Sequence, residues 1–123
     1  ADATLKALLS APNAIYHRAV PQGALHPAVV FTKLSGTPEW MFDSAYITSD
    51  VWLIKGVNKG SSSSPAEDID ARIKTLLTDP MFVVTGRVLS ACFPELDVDY
   101  EETTSGEMYH HVGANYRVVT EPT

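Results

Sequence analysis

The sequence predicts an α+β domain, an antiparallel β-sheet of four to five strands with a short N-terminal helix and one main amphipathic helix packed on it. Three observations predict it. One helix is punctuated at both ends near residues 64–79, strand-like segments with a two-residue period flank it, and few connections are long enough for the crossovers of a parallel sheet. At 123 residues and 45% hydrophobic, the chain (1–123) suits a single domain with one core.

Residues 4–9 carry Leu5, Leu8 and Leu9 at helical spacing, with Asp2 placed to cap and Pro12 to stop them. Residues 15–20 read as a brief extended segment leading into the turn Pro21-Gln22-Gly23. Pro27 opens a strand over residues 28–34, whose continuous apolar run Val29-Val30-Phe31 fits burial on both faces. Ser35-Gly36-Thr37-Pro38 reads as a turn. The longest strand is expected over residues 45–57, with a bulge at Ser49-Asp50, and residues 60–64 form a flexible polar connector.

The main helix has the strongest local signal. Ser64 is placed to cap it, Pro65 takes the first helical position, and Glu67 completes a capping box. Ala66, Ile69, Ile73, Leu76 and Leu77 form the buried stripe, leaving Asp68, Asp70, Arg72, Lys74 and Thr75 to solvent. Asp79-Pro80 ends it. Residues 81–93 alternate as a strand, with Val88, Ser90 and Cys92 on one face, and Pro94 ends or bends it. Residues 98–101 continue the ribbon, residues 103–107 turn the chain, and residues 108–119 return as an antiparallel partner with the clearest alternation in the sequence.

Charge and composition exclude several functions. A formal charge of -6 with scattered Lys and Arg argues against nucleic-acid binding, which depends on neutralising phosphates. The single cysteine, Cys92, allows no intramolecular disulfide and reads as core filler. No leader pattern and no apolar run near the roughly 20 residues of a membrane span are visible, so a soluble chain is expected. The start at Ala1 rather than Met is read as a trimmed N-terminus.

The search for chemistry yields no catalytic constellation and no cofactor motif. His110 and His111 are strand neighbours pointing to opposite faces, so they do not chelate one ion together. A metal site would need His17 or His26 to join one of them. The acids over residues 97–102 read as a solvated strand edge, although Asp97 and Asp99 share a face that in principle could hold a cation. The serines of residues 61–64 lack a nucleophile-elbow pattern, and no glycine loop for phosphate occurs. What stands out is apolar and aromatic material. Trp40, Met41, Phe42, Tyr46, Trp52 and Tyr109 are of the types enriched at interfaces, with Arg87 and Arg117 as anchors and the outward His111 beside them. Each aromatic also suits a core position.

Val20-Pro21-Gln22-Gly23, Asp43-Ser44-Ala45-Tyr46 leading to Val51-Trp52-Leu53-Ile54-Lys55-Gly56-Val57, and Gly106-Glu107-Met108-Tyr109-His110-His111-Val112-Gly113 with Tyr116-Arg117-Val118 together resemble the tail-completion, or tail-terminator, proteins of long-tailed phages and prophages. The resemblance runs along nearly the whole chain and rests on strand patterns, and the family's N-terminal helix is usually longer than the one here. It implies a non-enzymatic virion protein made in the host cytoplasm, without catalytic residues, cofactor or membrane contact. Such proteins form a homo-oligomer, a hexameric ring at the tail-neck region, that caps the major tail tube protein and meets the head-tail connector proteins. DNA then passes through the lumen without specific binding. If six copies carry -6 each, the ring holds about -36, which repels DNA in transit. Two alternatives stand beside it: another neck or head-completion protein (a stopper), and a small metal- or ligand-binding enzyme.

Overall fold

A computed structural model of the chain describes residues 3–9, 14–19, 26–40, 46–60, 62–77, 87–104 and 106–122. In chain order these form α1 (Ala3–Leu8), β1 (Ile15–His17), β2 (Ala28–Trp40), β3 (Tyr46–Lys59), α2 (Ser64–Leu77), β4 (Arg87–Thr104) and β5 (Glu107–Pro122). Most of this structure is strand, and the five strands make one sheet in the order β1-β2-β3-β5-β4. The predicted α+β class therefore holds broadly. The expected caps and stops at Asp2, Pro12 and Asp79-Pro80, and the turn at residues 21–23, lie outside the described residues.

The sheet is mixed where the sequence predicted an antiparallel one. β1 runs parallel to β2, with Ile15 opposite Val29 and His17 opposite Phe31, while every other neighbour pair is antiparallel. Three residues carry too little pattern to reveal a direction. A second feature, a crossover of the kind expected to be few, lies at the other edge: β3 and β4 are both antiparallel to β5, so they run the same way and α2 crosses between them. β5 then enters the gap as the return strand of the β4–β5 hairpin. That makes β5 an interior strand lying under α2.

The core forms between α2 and this centre. Ile69 and Ile73 of α2 cluster with Val29, Ala114 and Tyr116, and Leu5 and Leu8 of α1 pack against the same cluster. Gly56 lets the helix approach closely: a Cβ there would stand 3.0 Å from the Ala66 carbonyl oxygen and from the Ile69 side chain. Because directly opposed residues share a face, the α2 side of the sheet includes Trp52, Ile54, Gly56, Val112, Ala114 and Tyr116.

Several local expectations shift by small amounts, each for a physical reason. The cap of α2 sits one residue early: the Glu67 N–H donates to the Ser63 carbonyl at 3.0 Å, the Ser63 hydroxyl donates to the Glu67 carboxylate at 3.0 Å, and the Ser64 N–H donates to the Ser62 hydroxyl at 3.2 Å. A run of serines offers neighbouring positions for the same chemistry. Asp70, expected in solvent, is buried beside the apolar stripe. Lys74, one turn on, bridges it at 3.1 Å and reaches Asp97 of β4 at 2.9 Å, tying the helix to the sheet edge.

Ser35-Gly36-Thr37-Pro38 is strand rather than turn, in register with residues 48–51 of β3. β1 pairs no further than Phe31, so this part of β2 lacks an outer neighbour among the described residues, and a proline with its nitrogen on that side costs the ladder nothing. The bulge expected at Ser49-Asp50 lies across the ladder, between Lys33 and Ser35. In β4, register shifts between Leu89 and Ala91 and between Pro94 and Leu96 break the simple alternation. Val88 and Cys92 therefore fall on opposite faces. Pro94 marks a shift and the strand runs on to Thr104.

Candidate interaction surface

The interior position of β5 decides the environment of its histidines. Both His110 and His111 are buried, whereas an inward and an outward ring were expected, because β5 has a strand on either side and the Tyr100 ring stacks over His111. His110 lies on the α2 side. Its Nδ1 stands 3.7 Å from a Glu101 carboxylate oxygen, and its Nε2 has no hydrogen-bond partner among the described residues. His111 lies on the opposite face and stacks on Tyr100 of β4, with centroids 4.5 Å apart and planes at 5°. Lys55 donates to the Tyr100 hydroxyl at 2.6 Å. His26 packs against Tyr109 at 5.3 Å, and His17 stacks on Phe31 at 5.0 Å near the other edge. The four imidazoles are thus dispersed, and among the described residues no three His, Cys, Asp or Glu side chains come together as a metal site.

Burial, and next the Lys55 ammonium, hold the His111 pKa below the ordinary imidazole value, with Glu102 opposing them. Burial and Lys59 act in the same direction on His26. The unfolded chain then binds a proton at higher pH than the folded one. Stability is fully present above the unfolded value and is lost as pH falls below it toward the folded one. The thermal midpoint is expected to drop on moving from about pH 7.5 to about pH 5.5, and His111→Gln to flatten that drop. Equal slopes for the two proteins in scanning calorimetry would exclude His111 as a source. Tyr116 is pushed strongly upward, chiefly by burial and then by Asp70, so its phenol stays protonated.

The aromatic and basic residues singled out by sequence are divided between regions. Trp40 and Tyr46 are register partners at the far end of the β2–β3 ladder. Met41 and Phe42 lie outside the described residues, as do the side chains of Trp40, Tyr46 and Arg87. Trp52 is on the α2 face, half-buried, with its ring 6.1 Å from that of Phe31. Tyr109 is on the other face and donates to Glu107 at 3.2 Å. Arg117 makes a two-pronged pair with Glu95 through Nε and Nη2 and donates from Nη1 to Ser49 Oγ at 2.6 Å.

The surface that sequence reading missed belongs to β4. As the terminal strand it pairs only with β5 among the described residues, and on the face away from α2 it exposes Phe93 (42%), Leu96 (62%) and Tyr100 (41%). That face is buried over β2 and β3, at Val30, Val51 and Val57, and opens toward β4. The signal available in the sequence was the acidic run at residues 97–102, which does mark a sheet edge.

No protein-family model and no curated protein matches the chain. Among solved structures seven chains match. One is a chain in a structure described as "Virion of native gene transfer agent (GTA) particle", with a TM-score of 0.71 and 17% sequence identity over 98% of this chain and 87% of that one. What the two share is the fold. The likeness spans almost the whole sheet and both helices, so the edge strand β4 belongs to the shared architecture.

Proposed function

We propose that the chain is a structural virion protein and serves as a tail terminator, forming a ring, six-membered by the resemblance, that caps the tail tube, ends its polymerisation and joins the tail to the head connector. The observation that carries this reading is the near full-length likeness in fold to a chain of a virion, met independently by the sequence resemblance to tail-completion proteins. Its partners are further copies of itself, the major tail tube protein and the connector proteins. The role is one of assembly and has no catalytic step. The acidic balance suits a lumen that DNA crosses without adhering. The aromatic pair Trp40 and Tyr46, at the far end of the β2–β3 ladder, and Trp52 remain our proposed contacts with neighbours in the ring or the tube.

The reading is tested by particles assembled without this chain. Electron micrographs are expected to show tails of uncontrolled length detached from heads. Tails of uniform length joined to heads would exclude the terminator role, and tails of uniform length that fail only to join heads would assign the chain to the stopper position instead.

A further inference from the structure

We propose that the outer edge of β4 is the surface on which a second copy of this chain docks, and that the copy presents its β1 edge, so that contacts run head to tail around the ring. This rests on the ring reading above and names the two surfaces that close it.

The first observation is the edge itself. β4 has 18 residues, and among the described residues nothing pairs with its outer side. A strand of that length presents a row of free backbone donors and acceptors, the feature that other strands add to. Phe93, Leu96 and Tyr100 add exposed apolar surface along the same strand.

The second observation selects the occupant. From Val88 to Thr104 the strand carries Glu95, Asp97, Asp99, Glu101 and Glu102 and no Lys or Arg. Two such edges repel each other, so β4 against β4 is disfavoured. The opposite edge of the sheet differs in charge. There Ile15 is 44% exposed, and beyond it His17 and Arg18 are exposed, Arg18 forming no ion pair among the described residues. Arg18 is also held in a left-handed conformation, φ 73°, with its N–H donating to the Phe31 carbonyl at 2.9 Å. Backbone strain of this kind in an exposed, unpaired cation is retained where the position serves something.

The third observation is alignment. Following the ladders across the sheet, Ile15 is level with Val29, Gly56, Val112 and Asp99, and His17 is level with Phe31, Ile54, Ala114 and Asp97. A heterologous contact that closes by rotation brings one copy's edge to the other's at the same level. β1 of one copy then lies beside Asp97 and Asp99 of the next, and the strand directions within the sheet make the two edges antiparallel. Arg18, one residue past His17, then falls level with Leu96 and next to Asp97, whose carboxylate is 77% exposed even while it bridges Lys74 and so can take Arg18 as a second partner. The acids from Glu95 to Glu102 keep a carboxylate within one residue of Arg18's level if closure shears the strands by a residue or two.

The test is a charge swap on the full chain, read by native mass spectrometry and light scattering, with far-ultraviolet circular dichroism confirming that each variant folds. Arg18→Glu and Asp97→Lys are each expected to weaken self-association on the order of tenfold or more, because each sets like charges side by side across the contact. The double variant is expected to recover most of the loss. Leu96→Ser, which touches the apolar row instead, is expected to weaken association without rescue by Arg18→Glu. Single variants that assemble like the wild type, or losses that the double variant does not recover, would overturn this contact while leaving the terminator reading to the tail-length test. A wild-type chain that stays monomeric at the highest concentration it tolerates would overturn the contact as a self-assembly surface, whatever the chain's place in the particle.

Discussion

Replacing Gly113 with alanine is expected to cost about 3 kcal/mol or more, and to leave a large share of the chain unfolded under conditions where the wild type is folded. Gly113 lies mid-way along β5 opposite Lys55 of β3. A Cβ added there would meet the Ile54 carbonyl oxygen at 2.2 Å, Lys55 Cα at 2.5 Å and Lys55 Cβ at 2.6 Å. Two of those atoms are backbone, so no rotamer change relieves the clash. The β3–β5 ladder at the centre of the sheet has to separate instead. Asp99→Ala, on the exposed edge and without an ion pair among the described residues, serves as the control and should lie within about 0.5 kcal/mol of wild type. Urea unfolding distinguishes the outcomes. Equal midpoints for the Gly113 variant and the control would mean that β3 does not cross β5 this closely.

Replacing Ile69 with alanine is the second large effect, expected to cost roughly 2–5 kcal/mol. Ile69 is 0% exposed and lies over Gly56, where the helix comes nearest to the sheet. Truncation leaves a hole that neither side fills easily. The sheet below has no side chain at Gly56 to move into it, and the α2 backbone is held at its start by the Ser63 and Glu67 bonds and further along by the Lys74 bridges to Asp70 and Asp97. A loss well under 1 kcal/mol in denaturant melts would show that α2 settles onto the sheet after truncation.

Both positions show where sequence reading succeeds. The Ile69 stripe was legible because helical spacing, a first-turn proline and a capping glutamate all point one way. The β4–β5 hairpin was legible from the alternation over residues 108–119 and the turn before it. Direction and neighbours were not. The parallel β1 is three residues long, and nothing in Ile15-Tyr16-His17 distinguishes the two senses of pairing. Ser35-Gly36-Thr37-Pro38 has the composition of a turn, and a strand tolerates its proline where β2 has no outer neighbour among the described residues.

The same limit explains the interaction surface. Aromatic type drew attention to Trp52 and His111, one half-buried on the α2 face and the other buried in the middle of the sheet. Phe93, Leu96 and Tyr100 become conspicuous only once β5 is placed between β3 and β4, because that placement turns β4 into an edge. Exposure of a strand residue is a property of its neighbours, and neighbours are set by long-range pairing. The acidic run was readable in advance since charge on one strand guards it against its own kind.

The decisive measurement is the position and copy number of this chain in an assembled particle, obtained by electron cryomicroscopy of the tail. A ring of six copies, about 80 kDa at 13.4 kDa each, is expected at the head-proximal end of the tube, with neighbouring sheets meeting edge to edge. Copies stacked along the length of the tube, or a particle that lacks the chain altogether, would contradict it.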